Sequence, residues 1–215
     1  MDLVIFDLDG TLVDSLGDLA DSMNAALECM GFPTHPTESY RLFVGDGVVT
    51  LARRAVPPAM ADEATIDEAV RRMRDEYARR WTDSTRPFPG VAELLAELRR
   101  RGRKTAVLSN KPDFATREIV RLLFGGFPFQ TVRGATPDHP LKPDPTAALA
   151  ICSDLGVDPS RALYVGDTDV DMETGRRAGM LTVGVTWGFR GVEELRNAGA
   201  DRIIDHPLEL LECDL

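Results

Sequence analysis

One change of rhythm constrains this chain more than anything else in it. Leu3-Val4-Ile5-Phe6 is a short apolar run without alternation, and it stops at Asp7-Leu8-Asp9-Gly10-Thr11. An unalternating run of β-formers that ends in an acidic, glycine-containing turn is the pattern of a parallel strand buried on both faces. Such a strand needs neighbours, yet the next segment supplies none. Leu16, Leu19, Ala20, Met23, Leu27 and Met30 recur at helical steps, with Gly31 where a C-cap belongs. Residues 37–43 and 48–56 read as two shorter helices joined by Val44-Gly45-Asp46-Gly47, and Pro57-Pro58 breaks the second. A longer amphipathic stretch then puts Ile66, Val70, Met73, Tyr77 and Trp81 on one face.

Beyond the turn-rich Arg86-Pro87-Phe88-Pro89-Gly90 the pattern becomes alternating helix and strand. A helix carrying Val91, Leu94, Leu95 and Leu98 stops at Gly102, and the strand Thr105-Ala106-Val107-Leu108 follows. Further helices are expected over 113–124, 144–155, 170–178 and 191–198, and strands over 129–133, 162–165, 181–185 and 202–204. This alternation predicts an α/β fold: a Rossmann-like, three-layer core with a parallel sheet. The core takes residues 1–14 and 85–215, and residues 15–84 form an inserted, all-helical cap domain.

A length of 215 residues suits one domain with an insert, at about 100–200 residues per domain. The net charge of −10 argues against nucleic-acid backbones and anionic membranes as partners. A small anionic substrate needs only local positive charge and stays open. Cys29, Cys152 and Cys213 are widely spaced with no C-x-x-C pair, so neither a disulfide framework nor a thiolate metal site is expected. His35, His139 and His206 are scattered and are not expected to ligate a metal. No basic segment followed by an apolar one opens the chain, and no apolar run approaches the ~20 residues that span a bilayer. A cytoplasmic protein is expected.

Ligands of open α/β sheets bind beyond the carboxyl ends of the strands. Asp7-Leu8-Asp9-Gly10-Thr11 follows the first strand and Ser109-Asn110-Lys111 the second. Lys142 lies in the loop beyond the third, and Gly166-Asp167-Thr168-Asp169-Val170-Asp171 follows the fourth. Carboxylates, a hydroxyl and a lysine therefore converge on one sheet edge. Asp7 and Asp9 point the same way if the extended geometry persists. Neighbouring carboxylates repel unless a cation or a shared proton compensates. Oxygen donors suit Mg²⁺, with Asp167 the natural second carboxylate. Asp171 lies one turn beyond Asp167, within reach of a metal through water. Capping is the expected work of Asp169. Only three of the 25 basic residues are lysines, which marks Lys111 and Lys142 as positions wanting a compact ammonium. Of the two, Lys111 is the one that also reads as a solvated surface charge. Gly45-Asp46-Gly47 lacks a preceding strand and matches no nucleotide-binding fingerprint.

Phe6-Asp7-Leu8-Asp9-Gly10-Thr11-Leu12 resembles the first motif of the haloacid dehalogenase superfamily. Ser109, Lys142 and Gly166-Asp167-Thr168-x-x-Asp171 resemble its other three, in order, and the helical block resembles its cap. Within it, Val44-Gly45-Asp46-Gly47, Ser109-Asn110-Lys111-Pro112, Gly184-Val185-Thr186-Trp187-Gly188-Phe189 and Ala200-Asp201-Arg202-Ile203-Ile204-Asp205 are similar to the phosphoglycolate phosphatase subfamily.

The resemblance implies Asp7 as a nucleophile that forms an aspartyl-phosphate and Asp9 as general acid and base. It implies Mg²⁺ on the carboxylates of Asp7 and Asp167 and the backbone carbonyl of Asp9, supported by Asp171. Ser109 and the Asn110 backbone N–H would hold phosphoryl oxygens, with Thr11 also on the substrate side, and Lys142 would neutralise charge. In the cap, Gly45 and Gly47 would offer backbone N–H groups to the substrate. The implied reaction is hydrolysis of a small phosphate monoester such as 2-phosphoglycolate, by a monomer or weak homodimer. A phosphosugar mutase or a pyrophosphatase of the same superfamily shares these motifs and stays open. A receiver-type signalling domain also clusters Asp, a hydroxyl and Lys around Mg²⁺, but is shorter and has no helical insert. Dehalogenation is disfavoured, because it has no use for the acid that Asp9 provides.

Overall fold

The computed structural model describes residues 1–213. The chain divides into two compact units, one formed by Met1–Val13 with the chain from Pro87 onward and the other by Asp14–Arg86. The chain passes from one unit to the other at two-residue strands, β2 (Val13–Asp14) and β3 (Arg86–Pro87).

The first unit is built on a six-stranded sheet whose central strand is β1 (Leu3–Phe6). On one side of it lie β4 (Lys104–Pro112) and then β5 (Thr131–Ala135). On the other lie β6 (Ala162–Gly166), β7 (Leu181–Val185) and β8 (Arg202–Ile204). Every pairing is parallel; Leu3 is in register with Lys104 on one side and Ala162 on the other. The order of the strands reverses at β1, which makes its carboxyl end a topological switch point.

All four residues of β1 are buried, as its unalternating sequence requires. Leu3 and Ile5 share one face with Ala106, Leu108 and Tyr164 and pack on Ala148 and Ile151 of α7 (Thr146–Leu155). Phe6 and Val165 turn to the opposite face, where Val91 and Leu94 of α5 (Val91–Arg100) line the same small void. Helices α6 (Asp113–Phe124), α8 (Asp169–Arg177) and α9 (Val192–Asn197) complete the layers.

Two elements differ from the sequence reading in ways that bear on the site. The second strand does not stop at Leu108 but runs on to Pro112, and its register against β5 shifts between those two residues. A bulge of this kind re-aims the side chains it contains. Ser109, Asn110 and Lys111 fall inside it, and all three are buried. The third strand, β5, and α7 both begin two residues later than expected, at Thr131 and Thr146. Before α7, Asp144 Oδ1 accepts a hydrogen bond from the Thr146 N–H at 2.9 Å, a side-chain turn that delays the helix.

The second unit is all helical apart from short 3₁₀ turns and strand ends. It holds α1 (Leu16–Cys29), α2 (Tyr40–Phe43), α3 (Val48–Ala55) and α4 (Glu63–Arg80). Its core gathers Met23, Ala26 and Leu27 of α1, Leu51 and Ala52 of α3, and Ile66, Val70 and Met73 of α4. Asn24 clamps the following loop, accepting from the His35 N–H at 3.0 Å and from the Tyr40 hydroxyl at 2.7 Å. The three cysteines are free thiols. No helix of the described residues is long and apolar enough to cross a membrane.

Candidate active site

The carboxyl ends of β1, β4 and β6 and the loop before α7 bring one set of side chains together. Asp7 follows β1 directly, and its N–H still bonds the Val165 carbonyl at 2.9 Å, so its position is fixed by the sheet. Lys142 Nζ donates to Asp7 Oδ1 at 2.8 Å and to Asp171 Oδ1 at 2.7 Å. Lys142, Asp7 and Asp171 are almost wholly removed from solvent. Carboxylate oxygens of Asp7, Asp167 and Asp171 all lie within 4.8 Å of one another. Asp9 stands outside that triangle: its carboxylate faces Lys111, whose Nζ donates to both oxygens at 2.9 Å.

Asp167 sits in a cage. Its Oδ1 accepts from the Thr11 hydroxyl at 3.1 Å and its Oδ2 from the Phe189 N–H at 2.8 Å. Thr11, expected at the substrate, thus has its hydroxyl on Asp167, and its carbonyl accepts from Trp187 Nε1 at 3.0 Å. Gly10 and Gly188 close the cage: a Cβ on either would lie 2.3 Å from an Asp167 side-chain atom. Only glycine allows so close an approach, and at Gly10 the backbone is also left-handed, with φ of 90°. Nothing in the spacing of the sequence points to Phe189 or Trp187 as supports of Asp167.

Ser109 and Asn110 stand at the bulged end of β4. Ser109 Oγ accepts the Lys111 N–H at 3.2 Å, and Asn110 bonds the backbone of Lys142. Two readings of the sequence need correction. Lys111 is no solvated surface charge; its side chain is 5% exposed and is ion-paired with Asp9. The scarcity of lysine in the chain was the signal that could have settled it. Asp169 does not cap its helix, because it is exposed and accepts only from the adjacent Val170 N–H. The capping partner is Asp171, whose Oδ2 accepts from the Thr168 N–H at 3.1 Å and hydroxyl at 2.7 Å. Asp171 thereby faces two ways, with its other oxygen on Lys142. Gly45 and Gly47 belong to the helical unit, in the turn between α2 and α3, with φ of 114° and 85°. The Asp46 carboxylate between them pairs with Arg54 at 2.7 Å.

The electrostatics of the cluster are those of a site short of positive charge. Burial, and then the neighbouring Asp171 and Asp9, push the Asp7 carboxyl up to about 7 although Lys142 opposes them. Burial, reinforced by Asp171 and Asp7, drives Asp167 well above the usual carboxylate range. Burial works against the Lys142 ammonium, but Asp171 and Asp7 outweigh it and its pKa is raised. The Lys142 ammonium thus bonds two of the three buried carboxylates, Asp7 and Asp171. An all-oxygen donor set with excess negative charge fits a hard divalent cation.

Comparison with known proteins gives the family. Residues 1–179 match the family described as haloacid dehalogenase-like hydrolase. A phosphoglycolate phosphatase of Pseudomonas putida (strain KT2440) is 35% identical over 97% of this chain and 78% of its own length. An N-acetylmuramic acid 6-phosphate phosphatase of Pseudomonas aeruginosa (strain PAO1) is 34% identical over 97% of this chain and 92% of its own. The crystal structure of a protein assigned as a phosphoglycolate phosphatase, from Lactobacillus delbrueckii subsp. bulgaricus, superposes with a TM-score of 0.94 at 31% identity. It covers 100% of this chain and 98% of that one. The chain belongs to the haloacid dehalogenase-like hydrolases.

Proposed function

We propose that this hydrolase is a Mg²⁺-dependent phosphatase acting on a small phosphate monoester, 2-phosphoglycolate first, through an aspartyl-phosphate on Asp7. The observation that carries the reading is the buried triangle of Asp7, Asp167 and Asp171, with Lys142 bonded to Asp7 and Asp171. The names of the relatives support the phosphate ester. Mg²⁺ would be held by the carboxylates of Asp7 and Asp167 and the backbone carbonyl of Asp9, with Asp171 in support. When bound it supplies the countercharge that lets an anionic nucleophile meet an anionic phosphate.

The side chains then divide the work. The Asp7 carboxylate attacks phosphorus, and the P–O bond to the leaving group breaks. The departing oxygen takes a proton from the Asp9 carboxyl. Asp9, now a carboxylate, takes a proton from a water, whose oxygen attacks the phosphorus of the aspartyl-phosphate. Phosphate leaves and the Asp7 carboxylate is restored. The Ser109 hydroxyl and the Asn110 backbone N–H hold phosphoryl oxygens, and Lys142 neutralises charge on Asp7 and the transferred group. Thr11, whose hydroxyl donates to Asp167, positions that carboxylate. Gly45 and Gly47, both at positive φ, are assigned to the part of the substrate beyond the phosphate. The partner is a small phosphorylated molecule, and the net charge of −10 speaks against nucleic acid and membrane surfaces.

The test is a hydrolysis screen with Mg²⁺ over an aryl phosphate, 2-phosphoglycolate, N-acetylmuramic acid 6-phosphate, pyrophosphate and hexose phosphates, comparing kcat/KM. Release of phosphate that is abolished by EDTA and restored by Mg²⁺ is expected, with 2-phosphoglycolate ahead. Full activity in metal-free buffer would reject the cation. Turnover that appears only with a bisphosphate activator would identify a mutase.

A further inference from the structure

Lys111 and Asp9 are each held by the other. Both oxygens of Asp9 accept from Lys111 Nζ at 2.9 Å, and the two side chains are 17% and 5% exposed. The backbone of Lys111 is immobilised: its N–H bonds Ser109 Oγ and its carbonyl accepts from Thr116 Oγ1, each at 3.2 Å. On the other side a Cβ at Gly134 would lie 2.5 Å from the Lys111 carbonyl oxygen. The movable part is therefore the four-carbon stem and its ammonium.

This arrangement poses a problem for the phosphatase reading, on which the present inference rests. An Asp9 gripped through both oxygens is not directed at a leaving oxygen, and an ammonium this deeply buried cannot release its anion without another to replace it. A substrate with a second anionic group beside its ester oxygen meets both needs at once. Asp9 works within hydrogen-bond reach of that oxygen, about 3 Å, which places the ammonium no more than about 6 Å from it. A carboxylate on the carbon that bears the ester oxygen falls inside that radius.

We propose that Lys111 is a specificity-determining residue that binds the substrate carboxylate by exchanging Asp9 for it. The exchange turns Asp9 free toward the ester oxygen. Esters without the carboxylate leave Lys111 on Asp9 and are turned over slowly. The substrate class selected is the small 2-phospho-oxy carboxylates.

The experiment compares 2-phosphoglycolate with 2-hydroxyethyl phosphate, which keeps the phosphate and has a neutral hydroxymethyl in place of the carboxylate, in the wild type and in Lys111→Met. The readout is the ratio of the two kcat/KM values within each protein, because partial misfolding lowers both and leaves the ratio unchanged. The wild type should favour the carboxylate, and Lys111→Met should shrink that preference by at least about 30-fold. Lys111→Arg should retain part of it. If Lys111 only positions Asp9, both esters lose equally; a ratio within about threefold of wild type therefore overturns the proposal and leaves the phosphatase reading standing. A wild type without preference for the carboxylate also overturns it. A wild type that hydrolyses neither ester rejects the phosphatase reading itself. Should Lys111→Met turn over neither, the same ratio is read from calorimetric affinities in an Asp7→Asn background.

Discussion

The side-chain amide of Asn110 and the peptide groups of Lys142 form a closed pair of hydrogen bonds. Asn110 Nδ2 donates to the Lys142 carbonyl at 3.1 Å, and Asn110 Oδ1 accepts from the Lys142 N–H at 2.8 Å. The pair fastens the loop before α7 to the bulged end of β4. It also fixes the backbone from which Lys142 reaches Asp7 and Asp171.

Asn110→Ala should therefore act at a distance from its own position. It leaves two buried backbone groups of Lys142 unpaired, a cost of about 1–3 kcal/mol seen as a lower thermal midpoint. The loosened Lys142 ammonium should lower kcat about 10- to 100-fold, since small misplacement of a catalytic group is enough. Mg²⁺ affinity, read by titration of the apo protein, should change little. An Asn110→Ala enzyme with wild-type kcat would show that Lys142 holds its place without the clamp.

Asp167 offers a test of the metal that does not depend on turnover. In the metal-free protein burial raises both Asp167 and Asp7 above the ordinary value of 3.8, Asp7 to about 7. A raised carboxylate pKa means that the folded state binds its proton more tightly than the unfolded one. Its contribution to stability is present below 3.8 and is lost as pH rises through the folded value. Asp167→Asn removes one such group and relieves the other. In EDTA the variant should melt above the wild type at pH 8, by about 2–8 °C, and the gap should close toward pH 5. Saturating Mg²⁺ should reverse the order at pH 8, because only the wild type gains. A gap that ignores both pH and Mg²⁺ would reject the cluster as a cation site.

How much of this was legible in the sequence depends on the range of the signal. Leu3–Phe6 is a strand because its own residues are uniformly apolar, and α1 is a helix because its apolar residues repeat every three or four. Such local patterns identify the elements, and the switch-point rule then says which ends carry the site. Interactions between distant segments leave no such trace. Nothing near Asp9 announces Lys111, because the bulge that aims Lys111 inward arises from the register of β4 against β5. Likewise the cage around Asp167 needs Gly188 and Phe189 from the loop after β7, placed there by strand order. The sequence reading gives the cap to Asp169, and it is the first turn of α8 that returns Asp171 to Thr168 instead.

Asp18 supplies the same kind of long-range tie inside the helical unit. It is buried in the first turn of α1, where it accepts from the N–H groups of Ser84 and Thr85, each at 2.9 Å, and from both hydroxyls, each at 2.6 Å. Burial alone would raise its pKa, but the bonds from Ser84 and Thr85 prevail and hold it below the usual range. A lowered carboxylate stabilises the fold above the unfolded value of 3.8, and that stability is lost as pH falls through the folded one. Asp18→Ala strands four donors and should cost about 2–4 kcal/mol at pH 7. Denaturant midpoints of variant and wild type should converge below about pH 4. A gap that persists into acid would mean that packing, not the charge, is what Asp18 contributes.

Asp9→Asn separates the two half-reactions. The proposed metal contact of Asp9 is its main-chain carbonyl, so the substitution should leave Mg²⁺ affinity nearly intact and KM less altered than kcat. An amide cannot donate a proton to the leaving oxygen or take one from water, and losing such help typically costs about 10²–10⁴-fold. The loss in the first half-reaction depends on the leaving group. An aryl oxide departs readily without a proton, whereas an alkoxide does not. The second half-reaction has water as its nucleophile for every substrate and is slowed equally. With an aryl phosphate the variant should therefore form aspartyl-phosphate on Asp7 faster than it hydrolyses it. The intermediate should appear as a burst of aryl alcohol and as a mass increase on the peptide that contains Asp7. With an alkyl phosphate neither should be seen, because the first step is then the slow one. Asp7→Asn should show no burst with either ester. Normal kcat on alkyl phosphates in Asp9→Asn would return Asp9 to a structural partner of Lys111.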